Sequence, residues 1–405
     1  MSAWKRTWWV VFAANLITSI GMMSFLPFFP SILSDLGVVD EEARKVWAGV
    51  LFGAAPLAAA IMGPIWGSIG DRYGRKLMVV RALLAITVFV GAMGFARSPW
   101  VLLALRLGQG IFSGFIPPSI TLVSVATPRE LQGRVTSSLQ SSLPAGMILG
   151  PVVGNAIAEL GGASSVFFFV SAMAGASALL VALLAHEDPS LRLALEPFSP
   201  TSLLAGAWGD FRLVLANRKI RLALLVLFVE QFGLGATNPL LEIHAENLLG
   251  ALPGEASRQT AWLFSGLAIA GVIATPLWGR LGDRVGHERA LLFSVVSSGL
   301  LLGLHAAART YALLFVLRVT LGATTPGANV ASFGVAALET GHDRRGVAFG
   351  AVFSARALAV SIGATLGGAF SSLLGIRGLF LATGAGILFL LIGFRGRRTR
   401  RETAA

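Results

Sequence analysis

The chain has 405 residues, 55% of them hydrophobic and 13% charged, with a formal net charge of +12 and no cysteine. A soluble domain spends about a quarter of its residues on charge, so this composition excludes a water-soluble globule, while the missing cysteine excludes disulfides, thiolate chemistry and sulfur-ligated metals. The basic excess is not a nucleic-acid stripe either, because the cations sit in short loops between apolar runs.

Those runs predict twelve membrane-spanning helices, at 7–29, 46–69, 77–96, 100–126, 135–158, 164–185, 221–243, 260–281, 290–308, 311–336, 347–373 and 378–394. The first follows Lys5 and Arg6 but is too long for a signal-peptide core and carries Pro27. It is read as a retained first helix. Lys and Arg in short loops set orientation. Most cluster on one side, which holds both termini, the 69–76 turn and the tail RGRRTRRE; the other side holds Arg44, Lys45, Arg97, Arg258, Arg309 and Arg377. Both termini are expected in the cytoplasm. Arginine outnumbers lysine heavily, an association with GC-rich bacterial genomes rather than a physical argument.

Between the second and third spans the chain reads GSIGDRYGRK (67–76), and 212 residues later it reads GRLGDRVGHE (279–288). The same offset pairs Gly21 with Gly233, Pro27 with Pro239, Pro64 with Pro276, Trp66 with Trp278, Arg97 with Arg309 and Arg106 with Arg318. So many Gly, Pro, Trp and charged matches in register predict two tandem six-helix halves of like orientation, 1–185 and 220–405. The join, 186–219, is a cytoplasmic connector in which Leu204, Trp208, Phe211 and Leu215 follow helical spacing. It is either an interfacial helix or a plain linker helix.

The motifs resemble those of the major facilitator superfamily, in particular its twelve-helix drug:proton antiporter branch. GSIGDRYGRK resembles the loop 2–3 signature, GRLGDRVGHE its weaker copy, LRLGQG (105–110) the fourth-helix motif with an intramembrane Arg, and GMILGPVVGN (146–155) the fifth-helix signature of proton-driven exporters. The resemblance implies an all-α integral membrane fold with a binding site between the halves, a multi-pass protein of the inner membrane, and monomeric function. It also implies that Gly67, Asp71, Arg72, Gly74 and Arg75, with Asp283 and Arg284, latch the cytoplasmic side in the outward-facing state. A positive-inside topology signal alone is the other reading of these turns. Gly67, Gly70 and Gly74 are expected to permit the reversal. Gly146, Gly150 and Gly154 present a smooth packing face, and Pro151 removes a backbone hydrogen bond there.

Charges inside the membrane are functional candidates by default. They are Arg106, Arg318, Arg356 and one deep acid, Glu230, about 14 Å along its helix from Arg221 at 1.5 Å per residue. Glu242 is expected at the outer surface. Glu230 aligns with Thr18 and so breaks the repeat. It is either the proton carrier, tuned by an intramembrane Arg, or half of a permanent ion pair. Asp71, near Arg106's helix by the family pattern, is the second proton candidate. Asn15, Thr18, Met22, Phe25, Gln109, Gln231 and Asn238 are the substrate-binding candidates. The first span carries no acid, and three intramembrane Arg outweigh one Glu. That balance favours neutral, zwitterionic or anionic amphiphiles over strongly cationic ones.

The expected function is proton-coupled export of amphiphilic small molecules. A proton-coupled uptake symporter for a small organic acid or sugar, and a lipid transporter, remain alternatives on the same fold. No GxSxG, HExxH or GxxxxGK[ST] pattern is present. The histidines (His186, His244, His287, His305, His342) are scattered, mostly in or near loops, without ligand spacing. No enzyme activity, cofactor, metal or nucleic acid is expected; the partners are the substrate, protons and lipid.

Overall fold

The computed structural model describes residues 3–128, 131, 135, 138–139, 141–188, 212, 215–252, 255–340 and 345–402. The expected interfacial helix of the connector lies outside these residues. Every regular element among them is helical. In chain order they are α1 (Ala3–Phe25), α2 (Phe29–Asp35), α3 (Glu41–Tyr73), α4 (Arg75–Met93), α5 (Pro99–Phe112), α6 (Ile116–Ala126), α7 (Ser142–Gly161) and α8 (Ala163–Leu184). There follow α9 (Arg218–Thr237), α10 (Leu241–Leu249), α11 (Ser257–Val285), α12 (His287–His305), α13 (Tyr311–Thr324) and α14 (Pro326–Glu339). The last helical run, Arg345–Glu402, kinks at Gly375 (φ +68°) and forms α15 (345–374) and α16 (376–402).

Twelve spans emerge because four of them are broken by proline or glycine. Pro27 and Pro239, each without an N–H to donate, sit in single 3₁₀ turns, Leu26–Phe28 and Asn238–Leu240, that interrupt the first and seventh spans. Gly114 (φ +116°) separates α5 from α6, and Pro326 opens α14 directly after α13. Nine helical stretches among the described residues are long and apolar enough to cross a bilayer.

The chain divides into two compact units. One is Met1–Val38 with Ala54–Ala207, the other Val39–Gly53 with Trp208–Ala405. The start of α3 is therefore packed with the second unit. Inside each unit the 212-residue register reappears as geometry. Trp66 Nε1 donates to the Ile111 carbonyl at 2.6 Å, and Trp278 Nε1 to the Ala323 carbonyl at 2.8 Å. Ser98 caps Val101 N and Thr310 caps Leu313 N, both at 3.3 Å. Gly110 lies on the Ala55 backbone as Gly322 lies on that of Leu267, so neither position has room for a Cβ. The fifth-span glycines Gly146, Gly150 and Gly154 face Ser19, Ile20, Met23 and Ser24 of α1, with Pro151 buried within α7. In the second unit Gly363 and Gly367 of α15 face Phe232 and Ala236 of α9 in the same way.

Candidate functional site

In the first unit, α1 and α5 gather most of the expected substrate-binding residues around one buried cation. Arg106 is 1% exposed, and its Nη1 donates to Gln109 Oε1 one turn later at 2.7 Å. Gln109 Nε2 reaches the Met22 sulfur at 3.2 Å. The Phe25 and Phe29 rings stand 5.6 and 5.3 Å from the guanidinium carbon, within the range of a cation–π attraction. Two turns towards the start of α1, Asn15 Oδ1 accepts from Ser119 at 3.0 Å, while Asn15 Nδ2, Thr18 Oγ1 and Ser19 Oγ are buried without partners. Unsatisfied buried polar atoms are rare and costly. Here three side chains that carry them lie within about one turn of α1.

The second unit holds the acid. Glu230 on α9 is fully buried, and neither carboxyl oxygen accepts a hydrogen bond. Ser298 and Gln231 flank it and Arg356 lies within electrostatic range, yet none reaches hydrogen-bond geometry with it. Of the two sequence readings, a contact ion pair is not what the side chains form. An unpartnered carboxylate costs far more to take out of water when it is ionised than when it is protonated. Arg318 on α13 is also fully buried and donates from Nη2 to Asn238 Oδ1 at 3.1 Å.

One expectation is corrected by the structure. Gly67 and Gly70 do not make the 67–76 reversal: α3 stays helical to Tyr73, and Gly74 alone, at φ +119°, turns the chain into α4. The side chains of Asp71 and Arg72 lie outside the described residues. Glu242, expected at the outer end of its span, is fully buried within the protein and accepts from Ser257 Oγ at 2.8 Å. His244, within α10, and His305, the last residue of α12, are both buried, and their rings pack on Phe380 at 5.6 and 5.2 Å between centroids.

Sequence reasoning missed how the turns are anchored. Arg75 N and Lys76 N, the first free amides of α4, donate to Glu187 Oε1 and Oε2 at 2.7 and 3.2 Å. A carboxylate at a helix N-terminus is favoured by both the orphan N–H groups and the helix dipole. In the second turn Gly286 (φ +88°) reverses the chain, Asp283 and Arg284 are exposed, and Asp283 lies 3.8 Å from His287 Nε2. Lys219 holds Glu339 there at 2.7 Å and Glu288 at 3.6 Å. Glu187 carries no local pattern that would have marked it, since its partners are 111 and 112 residues away.

A family model described as Major Facilitator Superfamily matches residues 11–250 and 223–405. The multidrug resistance protein MdtG of Citrobacter koseri is 31% identical over 407 residues, covering 99% of this chain and 97% of that protein. Its counterpart in Klebsiella pneumoniae is 30% identical over 387 residues, covering 95% and 92%. Among solved structures, the nucleoside transporter NupG matches with a TM-score of 0.77 at 14% identity, over 96% of this chain and 98% of that one. The human organic anion transporter MFSD10 matches with a TM-score of 0.70 at 16% identity, over 96% and 99%. At such identities these two likenesses are of fold alone.

Proposed function

The chain belongs to the major facilitator superfamily, and from that premise we propose that it exports amphiphilic small molecules by alternating access, driven by protons flowing inward. It is a transporter and not an enzyme. Export is favoured by its similarity to proteins named for multidrug resistance and by the fifth-span run of Gly146, Gly150, Pro151 and Gly154. The membrane is the bacterial inner membrane, with both termini cytoplasmic. The moving bodies are the six-helix halves, 1–185 and 220–405, joined by 186–219.

The observation that carries proton coupling is Glu230, buried and without a hydrogen-bond partner in a unit that also buries cations. In this reading Glu230 takes a proton when its site opens outward and releases it inward. Arg356, in electrostatic range, stabilises the ionised form long enough for that release. Asp71 and Arg106 are the second proton station. One charge moved across 100 mV is worth about 2.3 kcal/mol, so one proton per cycle sustains about a fifty-fold substrate gradient. Asn15, Thr18, Met22, Phe25 and Gln109 contact the substrate from the first unit, and Gln231 and Asn238 from the second. With no acid in the first span, the preferred substrates are neutral or anionic. The 67–76 turn, with Asp283 and Arg284 of its repeat, latches the outward-facing state, and the transporter works as a monomer.

The test uses purified protein in liposomes loaded with a pH-sensitive dye, under an imposed proton gradient. Neutral, anionic and cationic amphiphiles are added one at a time. Proton movement opposite to a compound's own movement, abolished in Glu230→Gln, is expected. Coupling that is unchanged in Glu230→Gln removes Glu230 from the mechanism, and protons moving with the compound reverse the direction of transport.

A further inference from the structure

The repeat makes an internal comparison available. Arg106 and Arg318 stand 212 residues apart at equivalent places, and both are buried to within 1%. Arg106 is surrounded by Gln109, Met22, Phe25 and Phe29. At the matching positions of the second half stand Leu321, Leu234, Thr237 and Leu241. The charge has been kept, while the glutamine that accepts from Arg106 is replaced by leucine and the two phenylalanines by threonine and leucine.

What remains around Arg318 does not neutralise it. Nη2 donates to the neutral Asn238 oxygen, while Nε and Nη1 are buried with no partner. The Phe264 ring lies 5.8 Å away. No carboxylate of the described residues pairs with it; Glu230, the acid of the same unit, lies in the field of Arg356 instead. His305 is within electrostatic reach of Arg318. Its Nδ1 donates to the Leu301 carbonyl at 2.6 Å and its Nε2 is buried without a partner. Neutral or protonated, His305 supplies no negative charge. A guanidinium cannot shed its proton, and an unpaired ion inside a protein costs several kcal/mol. Among the described residues no carboxylate supplies the compensating charge.

We infer that Arg318, anchored by Asn238, is an anion-binding site that takes a single monovalent anionic group, a carboxylate or a halide. The planar N–H fork suits a carboxylate, which accepts two of its hydrogen bonds at once. The inference deepens the substrate class proposed above and rests on that reading only for the cargo. Its test needs neither transport nor a proton gradient, so failed coupling and failed binding are told apart.

The full chain, purified in detergent, is heated while tryptophan fluorescence is followed, at fixed pH and ionic strength. Sodium benzoate and sodium chloride are compared with sodium sulfate, whose divalent anion does not fit a site for one monovalent group. Benzoate is expected to raise the unfolding temperature of the wild type and of Arg309→Gln, which removes an exposed cation. In Arg318→Gln the benzoate concentration for half the effect rises at least about tenfold. Stabilisation by benzoate alone identifies the head of an organic substrate, and equal stabilisation by chloride identifies a free inorganic anion; either supports the site. If Arg318→Gln does not fold, Arg318→Lys keeps the charge without the fork, and the same weakening is expected. An unchanged response in the Arg318 variant, or no response of the wild type to either anion, overturns the inference.

Discussion

Arg44 and Glu246, 202 residues apart in sequence, form an ion pair at 2.8 Å with side chains 3% and 4% exposed. The pair lies within the second unit, because α3 begins there: Ser361 Oγ donates to the Gly53 carbonyl at 2.7 Å, and Gly49 lies against the Ala364 carbonyl. Removing one partner of a buried pair strands the other charge. Arg44→Ala is expected to cost about 3–5 kcal/mol, while Arg44→Met with Glu246→Leu restores most of it. Thermal unfolding in detergent checks both. A double variant as unstable as the single one would show that the pair's worth lies in its charge rather than in what is left unpaired.

The small-residue faces give a second prediction. A Cβ on Gly154 would overlap the Ser24 carbonyl, and one on Gly367 the Ala236 carbonyl. Backbone cannot step aside as a flexible side chain can, so Gly154→Ala and Gly367→Ala should each cost about 1–3 kcal/mol. Gly350, also helical, has no neighbour within 4 Å of the place a Cβ would take. Gly350→Ala should instead gain up to about 1 kcal/mol from helix propensity. Unfolding temperatures of the three variants should therefore split in sign, and equal shifts would refute the packing argument.

The repeat was legible because it is written in residues with stiff geometric demands. Trp66 and Trp278 need an acceptor for the indole N–H, and both find the carbonyl 45 residues on. Long apolar runs marked the spans, but hydropathy marks where charge begins, not where a helix ends. That is why α3 extends through GDRY to Tyr73, and why Arg44 and Lys45 looked like loop cations. They belong instead to a helix that Asp40 caps, through Ala43 N at 2.7 Å. Glu230 was visible as the one acid breaking the repeat. The partners of Arg44 and the meeting of His244 with His305 on Phe380 were not. Such contacts join helices distant in sequence, and no local spacing records them.

Glu187 offers a third prediction, on local rather than global stability. Its carboxylate satisfies the Arg75 and Lys76 amides where α4 starts. Glu187→Ala exposes both and removes a negative charge from the helix N-terminus, at a cost of about 1–2 kcal/mol. Hydrogen exchange of the 75–78 amides should accelerate by about five- to thirtyfold, with the rest of α4 little changed. Protection retained at those amides would mean that another acceptor holds the turn.

The turn glycines supply the last prediction. Gly74 and Gly286 occupy φ +119° and +88°, each as the single residue between two helices. Side chains rarely adopt either conformation, so Gly74→Ala and Gly286→Ala should each cost about 1–3 kcal/mol. Gly279, inside α11 with nothing within 4 Å of a Cβ, should tolerate alanine. The comparison separates geometry from charge in this loop. If the turn served only to place cations on one side of the membrane, alanine at Gly74 would leave Arg72, Arg75 and Lys76 in place and transport unaltered. If the turn is a latch that needs both its shape and its charges, Gly74→Ala slows transport more than its loss of stability explains, and Arg72→Gln does so without any loss of stability. Transport rates in liposomes, normalised to folded protein, distinguish the two.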